Sequence, residues 1–143
     1  MTHLLDSDVI IFHLKDKFVL PITLDTAPAI SVITYAELLY GLEKTKNHKQ
    51  RERFDSLLRD LQTVILPVTP AIVERFILIK ILLESGGEKL ADFDLLIAAT
   101  AIVHNLTLIT GNKKHFSRVP GLSLACSFFV KYHYRLDYTS LSL

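Results

Sequence analysis

Two aspartates stand at the head of the most apolar stretch of the chain, Asp92-Phe93-Asp94-Leu95-Leu96-Ile97-Ala98-Ala99-Thr100-Ala101. Read as a helix, residues 95–103 show no polar face beyond Thr100, so the helix must be buried on several sides. On a helix the two carboxylates point roughly 200° apart, so at most one of them serves a given site. A carboxylate leading into a buried helix is costly unless it caps the helix, pairs or binds a cation. Capping is the plain alternative, because Asp favours the cap and first turn. Other polar positions sit beside apolar segments: Asp6 closes His3-Leu4-Leu5, Glu37 is set among Ala36, Leu38 and Leu39, and Asn112 follows the run ending at Thr110. Gathered carboxylates would repel and raise one another's pKa unless a cation neutralised them. Hard oxygen donors of this kind suit Mg²⁺, with Mn²⁺ as the alternative ion, rather than zinc. Such an ion can activate water and stabilise the charge developing on a phosphodiester. The histidines His3, His13, His48, His104, His115 and His133 are scattered, without zinc-ligand spacing.

The elements around these residues decide whether they meet. Residues 3–6 read as a buried strand, followed by a short helix over Val9-Ile10-Ile11-Phe12 capped by Ser7 or Asp8. Residues 15–28 contain Pro21 and Pro28 and read as a loop. Ala29–Val32 is a second strand, and Ser31 or Thr34 caps a helix whose apolar positions are Ile33, Ala36, Leu38, Leu39 and Leu42. Gly41 marks a tight contact or an end of that helix. Lys44 to Gln62 is one amphipathic stretch, with Phe54, Leu57, Leu58 and Leu61 at helical spacing. Val64-Ile65-Leu66 is a strand, and Pro70 opens a helix to about Leu83 that Ser85-Gly86-Gly87 breaks. The central helix over 92–104 leads to a strand at 106–110, and Leu122–Leu124 is a last short strand.

Strands alternating with helices predict a three-layer α/β sandwich with a mostly parallel sheet of four to five strands. In such a sheet the carboxyl ends of the strands and the amino ends of the antiparallel helices share one edge, where ligands bind. Asp6, Glu37, Asp94 and Asn112 all fall on that edge. Helix-capping acids would collect there too, but Glu37 lies beyond the usual cap positions.

The chain has 143 residues, enough for one domain with its own core, and its 50% hydrophobic and 22% charged fractions are those of a globular protein. The boundaries read as a domain over 1–126 and an atypical tail over 127–143. The one cysteine, Cys126, excludes an intrachain disulfide. No apolar run approaches the ~20 residues that span a bilayer. No secretory signal is evident, so no membrane partner and a cytoplasmic location are expected. A net charge of +1 makes no global case for nucleic acid, which must rest on local clusters.

With LLDSDVII at 4–11, SVITYAELLYG at 31–41, DFDLLIAATAIVHNLTLIT at 92–110 and TGNKKHF at 110–116, the chain resembles a PIN domain. More narrowly, it resembles the VapC-like toxin ribonucleases of toxin–antitoxin pairs. Each segment alone is weak; the ordered set is specific and covers residues 3 to about 124. The resemblance implies metal-dependent cleavage of RNA, with Asp6 and Asp94 as the metal ligands and Glu37 completing the acidic pocket. It implies a cognate antitoxin and a homodimer as well. The family's fourth acidic position falls on Asn112, a variation many such toxins share, and an amide is a poorer ligand than a carboxylate. Asp8, where the family often has Asn, reads as a cap or supporting residue. Asp92 keeps the capping role.

Two basic clusters flank the pocket, Lys44, Lys46, His48, Lys49, Arg51 and Arg53 on one side and Lys113, Lys114 and His115 on the other. Either they contact phosphates or they are solvated faces. Tyr35 and Tyr40 read as packing residues. The tail departs from the family pattern: it interleaves Phe128, Phe129, Tyr132, Tyr134 and Tyr138 with Lys131, His133 and Arg135. Such a mixture suits RNA stacking, or a segment packed on the body or disordered. Two further readings stand beside the nuclease. Asp6-Ser7-Asp8-Val9 also resembles the first motif of haloacid-dehalogenase-like phosphatases, with Asp6 as nucleophile and Asp8 as general acid. Thr110 and Asp92/Asp94 then come in the wrong order and Glu37 is unexplained. A PIN-like module that binds RNA or protein without cleavage has only Asn112 in its favour.

Overall fold

The computed structural model describes residues 1–16, 20 and 26–126. The tail over 127–143 and part of the loop containing Pro21 lie outside the described residues. Five strands form one all-parallel sheet: β1 (His3–Leu5), β2 (Ala29–Ser31), β3 (Val64–Leu66), β4 (Thr107–Thr110) and β5 (Leu124–Cys126). Their order across the sheet is β3-β2-β1-β4-β5. The last strand lies two residues beyond its predicted start.

Side chains alternate across the sheet, and the two faces build two cores. Leu4, Ala29, Leu66 and Leu108 point to one side. There they meet Ile72, Ile79 and Leu83 of α4 (Pro70–Ser85), Leu95 to Ala101 of α5 (Asp92–Val103) and Phe116 of α6 (Lys113–Phe116). Leu5, Ile30 and Ile109 point to the other. There they meet α1 (Ser7–Leu14), α2 (Val32–Thr45) and α3 (His48–Asp60) through Val9, Ile10, Leu38 and Phe54. This is the three-layer sandwich expected from the alternation of strands and helices. Leu108 has no exposed surface, and Leu108→Ala would cost about 2–5 kcal/mol through lost transfer energy and the cavity left behind.

Several boundaries depart from the sequence reading for identifiable reasons. Asp6, rather than Ser7 or Asp8, caps α1: its backbone is extended and its carboxylate accepts the Ser7 N–H. Ser31 caps α2 as expected, through the Ile33 N–H. Residues 44–62 are not one amphipathic stretch. Lys46 takes a left-handed conformation and Asn47 starts a new helix by accepting from the Gln50 N–H. Gly41 lies inside α2, and a Cβ there would meet nothing within 4 Å, so it marks neither a close contact nor an end. Ala36 and Tyr40 are exposed rather than packed. Thr69 and Pro70 open α4, which ends at Gly86 as the glycine pair predicts.

Candidate active site

The sheet order places a switch point between β1 and β4, because successive strands run outward from β1 in one direction and then from β4 in the other. Ligand crevices in parallel sheets open at such points, beyond the strand carboxyl ends. Here the crevice is bounded by Asp6 after β1 and by Thr110, Gly111 and Asn112 after β4. The Asp6 N–H donates to the Ile109 carbonyl at 3.0 Å, which ties the two strand ends together.

Asp6 is buried, and each of its oxygens has a donor: Oδ1 accepts from the Ser7 N–H and Oδ2 from the Thr110 hydroxyl, both at 2.8 Å. Thr110 Oγ1 accepts in turn from the Asn112 N–H at 3.0 Å, so one hydroxyl couples Asp6 to the start of α6. Burial, and then the nearby Asp8 carboxylate, push the Asp6 carboxyl up to about 6, against the pull of the Thr110 and Ser7 bonds; Asp94 adds to the rise. Asp8 lies in the first turn of α1 and accepts the Gly111 N–H on both oxygens, at 3.0 and 3.3 Å. Its carboxyl is also raised, by burial first and then by Asp94. That bond ties Asp8 to the turn after β4.

Glu37 stands in the second turn of α2, half-buried. Burial raises its carboxyl, the Ser7 side chain lowers it by hydrogen bonding, and Asp94 raises it again. Asp94 is thus the charge that Asp6, Asp8 and Glu37 all sense. It projects from the first turn of α5, where its Oδ2 lies 2.9 Å from Nε2 of His115. Asp92 points elsewhere, as the angular estimate requires, but it does not cap. Ala91 occupies that position without a side-chain bond, and Asp92 pairs with Lys80 of α4 at 2.8 Å. Asn112 heads α6 with its side chain exposed and making no capping bond.

The donors suit a small hard cation, because a buried carboxyl raised by like-charged neighbours is what such an ion relieves. Among the described residues, however, no three His, Cys, Asp or Glu side chains are placed so as to hold one ion together. That is compatible with Mg²⁺, which commonly takes one or two carboxylates and completes its shell with water and substrate phosphate. A cavity of about 290 Å³ elsewhere, lined by Lys80, Leu83, Glu88, Leu90 and Asp92, includes none of Asp6, Glu37 and Asp94.

The basic clusters divide. Arg51 is paired with Glu43 and Asp55, and Arg53 with Asp16, so these arginines brace α2, α3 and the end of α1. Lys44 lies over the Tyr40 ring. Lys113 and Lys114 are exposed beside Asn112 and make no ion pair among the described residues. Sequence reading missed the roles of Thr110 and His115. Thr110 could have been found from its place at a strand end opposite Asp6; His115 was grouped with its lysine neighbours and gave no separate signal.

The PIN domain family profile matches residues 4–122. Ribonuclease VapC2 of Rickettsia felis is 38% identical over 97 residues, covering 67% of this chain and 71% of that protein. Ribonuclease VapC1 of Methanocaldococcus jannaschii is 33% identical over 121 residues, covering 85% and 83% respectively. The crystal structure of VapBC2 from Rickettsia felis, bound to a DNA fragment from their promoter, aligns with a TM-score of 0.79 at 29% identity. That alignment covers 88% of this chain and 98% of the other. DNA-bound VapBC from Salmonella typhimurium aligns over the same shares with a TM-score of 0.77 at 26% identity. A profile match over most of the chain, joined to relatives of this identity and coverage, means that the chain belongs to the PIN domain family, among its VapC-like members.

Proposed function

We propose that the protein is a metal-dependent endoribonuclease and the toxin of a toxin–antitoxin pair. The observation that carries this is Asp6: a carboxyl buried at the switch point, raised to about 6, with Asp94 acting on it from a second element. Asp6 and Asp94 are the residues that would hold Mg²⁺ or Mn²⁺, with Glu37 completing the acidic pocket. When bound, the ion supplies an activated water and stabilises charge on the phosphodiester. The chain's own groups do the rest. Thr110 and the Ser7 N–H fix both oxygens of Asp6. Asp8 fixes Gly111 and with it the turn that presents Asn112. Asn112 offers a neutral amide to substrate, and Lys113 and Lys114 offer charge to flanking phosphates. Purified protein should cleave RNA with Mg²⁺ or Mn²⁺, and Asp94→Asn should lower the rate at least 100-fold with unchanged circular dichroism. Full activity in that variant would refute the assignment.

The antitoxin reading is supported by an apolar groove of about 260 Å³ between α1 and α2, lined by Ile11, Leu14, Leu38, Gly41 and Leu42. Glu37 stands at its wall, so a segment seated there reaches the acidic pocket. Gln50 also lines the groove, with a buried Oε1 that has no partner. A homodimer is supported by α4, whose Ile77, Leu78, Ile81 and Leu82 are 44–61% exposed on a helix packed against α5. An apolar stripe of that kind is a surface for a second copy.

A further inference from the structure

His115 does more than flank Asn112. Its imidazole is held on three sides: Nε2 by Asp94 Oδ2 at 2.9 Å, Nδ1 by Arg118 Nη2 at 3.1 Å, and the ring by an edge contact with buried Phe116. Arg118 is itself fixed, donating from Nη1 to Glu88 at 2.7 Å and from Nε to the His115 carbonyl at 3.3 Å. A guanidinium can only donate, so the Nδ1 that faces it must accept. In that arrangement Nε2 carries a proton and donates it to Asp94 Oδ2. His115 therefore engages Oδ2 of Asp94.

We propose that His115, oriented by Arg118 and Glu88, is a positioning residue that presents Asp94 to the cation; this rests on the reading of Asp94 as a ligand. Partners that orient a metal-binding side chain typically contribute about 10–100-fold in metal affinity. The chain Glu88–Arg118–His115–Asp94 joins the loop before α5 and the first turn of α5 to the region after β4, across sequence separations of 30 and 21 residues. Its members keep the carboxylate from swinging, which a lone Asp in a first helical turn would do freely.

The test uses the full chain and Mn²⁺ alone, with affinity read by electron paramagnetic resonance and folding by thermal melting. Asp94→Asn should lose Mn²⁺ binding. His115→Ala should weaken it about 10–100-fold. His115→Gln, which can place an N–H near the position of Nε2, should recover most of the loss. Arg118→Met should weaken binding by a smaller factor. Long-range proton–nitrogen correlations of the imidazole should place the ring proton on Nε2 in the parent, with that preference relaxed in Arg118→Met. Parent-like Mn²⁺ affinity in His115→Ala, with binding lost in Asp94→Asn, overturns the proposal and leaves the nuclease reading standing. Parent-like affinity in Asp94→Asn overturns that reading. A ring proton on Nδ1 in the parent also overturns the proposal, and needs no variant to fold.

Discussion

Asp6→Asn should stabilise the metal-free protein at neutral pH, and the size follows from the carboxyl's environment. Asp6 is raised from 3.8 to about 6, chiefly by burial and by Asp8. The unfolded chain loses this proton near pH 4 and the folded chain near pH 6. Between those values the folded state holds more protons than the unfolded one, so stability falls as pH rises. A shift of about two units corresponds to about 3 kcal/mol, lost in full by about pH 7. For a domain of this size that is about 10 °C in Tm. Asn keeps an oxygen to accept the Ser7 N–H, meets Thr110 Oγ1 with an amide N–H that donates instead, and carries no charge, so the variant should be nearly flat where the parent declines. Urea unfolding in chelator at pH 4, 5, 6, 7 and 8 measures the difference. Asp8 and Glu37 are raised as well and act in the same sense in both proteins; because Asp8 repels Asp6, the difference between parent and variant reports Asp6 together with its coupling to Asp8. Parallel pH profiles for parent and variant would refute the account of the pocket as a set of buried carboxyls in tension. Saturating Mg²⁺ should restore the parent's stability at pH 8 and leave the variant little changed.

Thr34 is fully buried with no partner for its hydroxyl, so Thr34→Val should raise unfolding free energy by about 1 kcal/mol, read from urea midpoints. Gly41→Leu should be accepted by α2, where a Cβ meets nothing, and should gain about 0.5–1 kcal/mol from helix propensity. Filling the groove, it should leave a nuclease that its antitoxin no longer inhibits, seen in a cleavage assay with and without the partner. Ile81→Glu on the exposed face of α4 should shift the protein toward monomer in sedimentation while preserving its melting temperature within a few degrees. Unchanged sedimentation would refute α4 as the surface of the proposed homodimer.

The layers, the parallel sheet and the edge on which Asp6, Glu37 and Asp94 lie were legible because period and punctuation are local signals. Strand ends, helix starts and the Gly86-Gly87 break are each written within a few residues. What failed to show depended on partners from other elements. Asp92 looked like a cap because its neighbour in space, Lys80, sits on the preceding helix across a loop. Asp6 was read as a strand end and not as a cap, although one carboxylate serves both purposes. The break at Lys46 was hidden by apolar spacing that continues on both sides of it, since Phe54 and Leu38 bury into the same core. Arg51 and Arg53 fit a phosphate-contacting surface and a solvated face equally well from sequence, because their acidic partners lie on other elements or another turn. His115 was the hardest to see, because nothing in Lys113-Lys114-His115 distinguishes a ring turned inward from a third exposed base.

The pairing of β1 with β4 has a consequence for how the protein is made. Thr110 reaches Asp6 across 104 residues of chain, so this edge of the sheet closes only after nearly every other element has been synthesised. Contacts of such sequence separation carry the full entropy of loop closure and form late. While the chain is still emerging from the ribosome, β1 and β2 can already pair, but Asp6 has no Thr110, Asp8 has no Gly111 and Asp94 has no His115. On the proposed site, a nascent chain, or one truncated before β4, should not cleave RNA. The same delay leaves one edge of β1 unpaired, with its backbone N–H and C=O groups open to other chains. An early-binding partner that shields this edge would improve the yield of folded protein as well as restrain it.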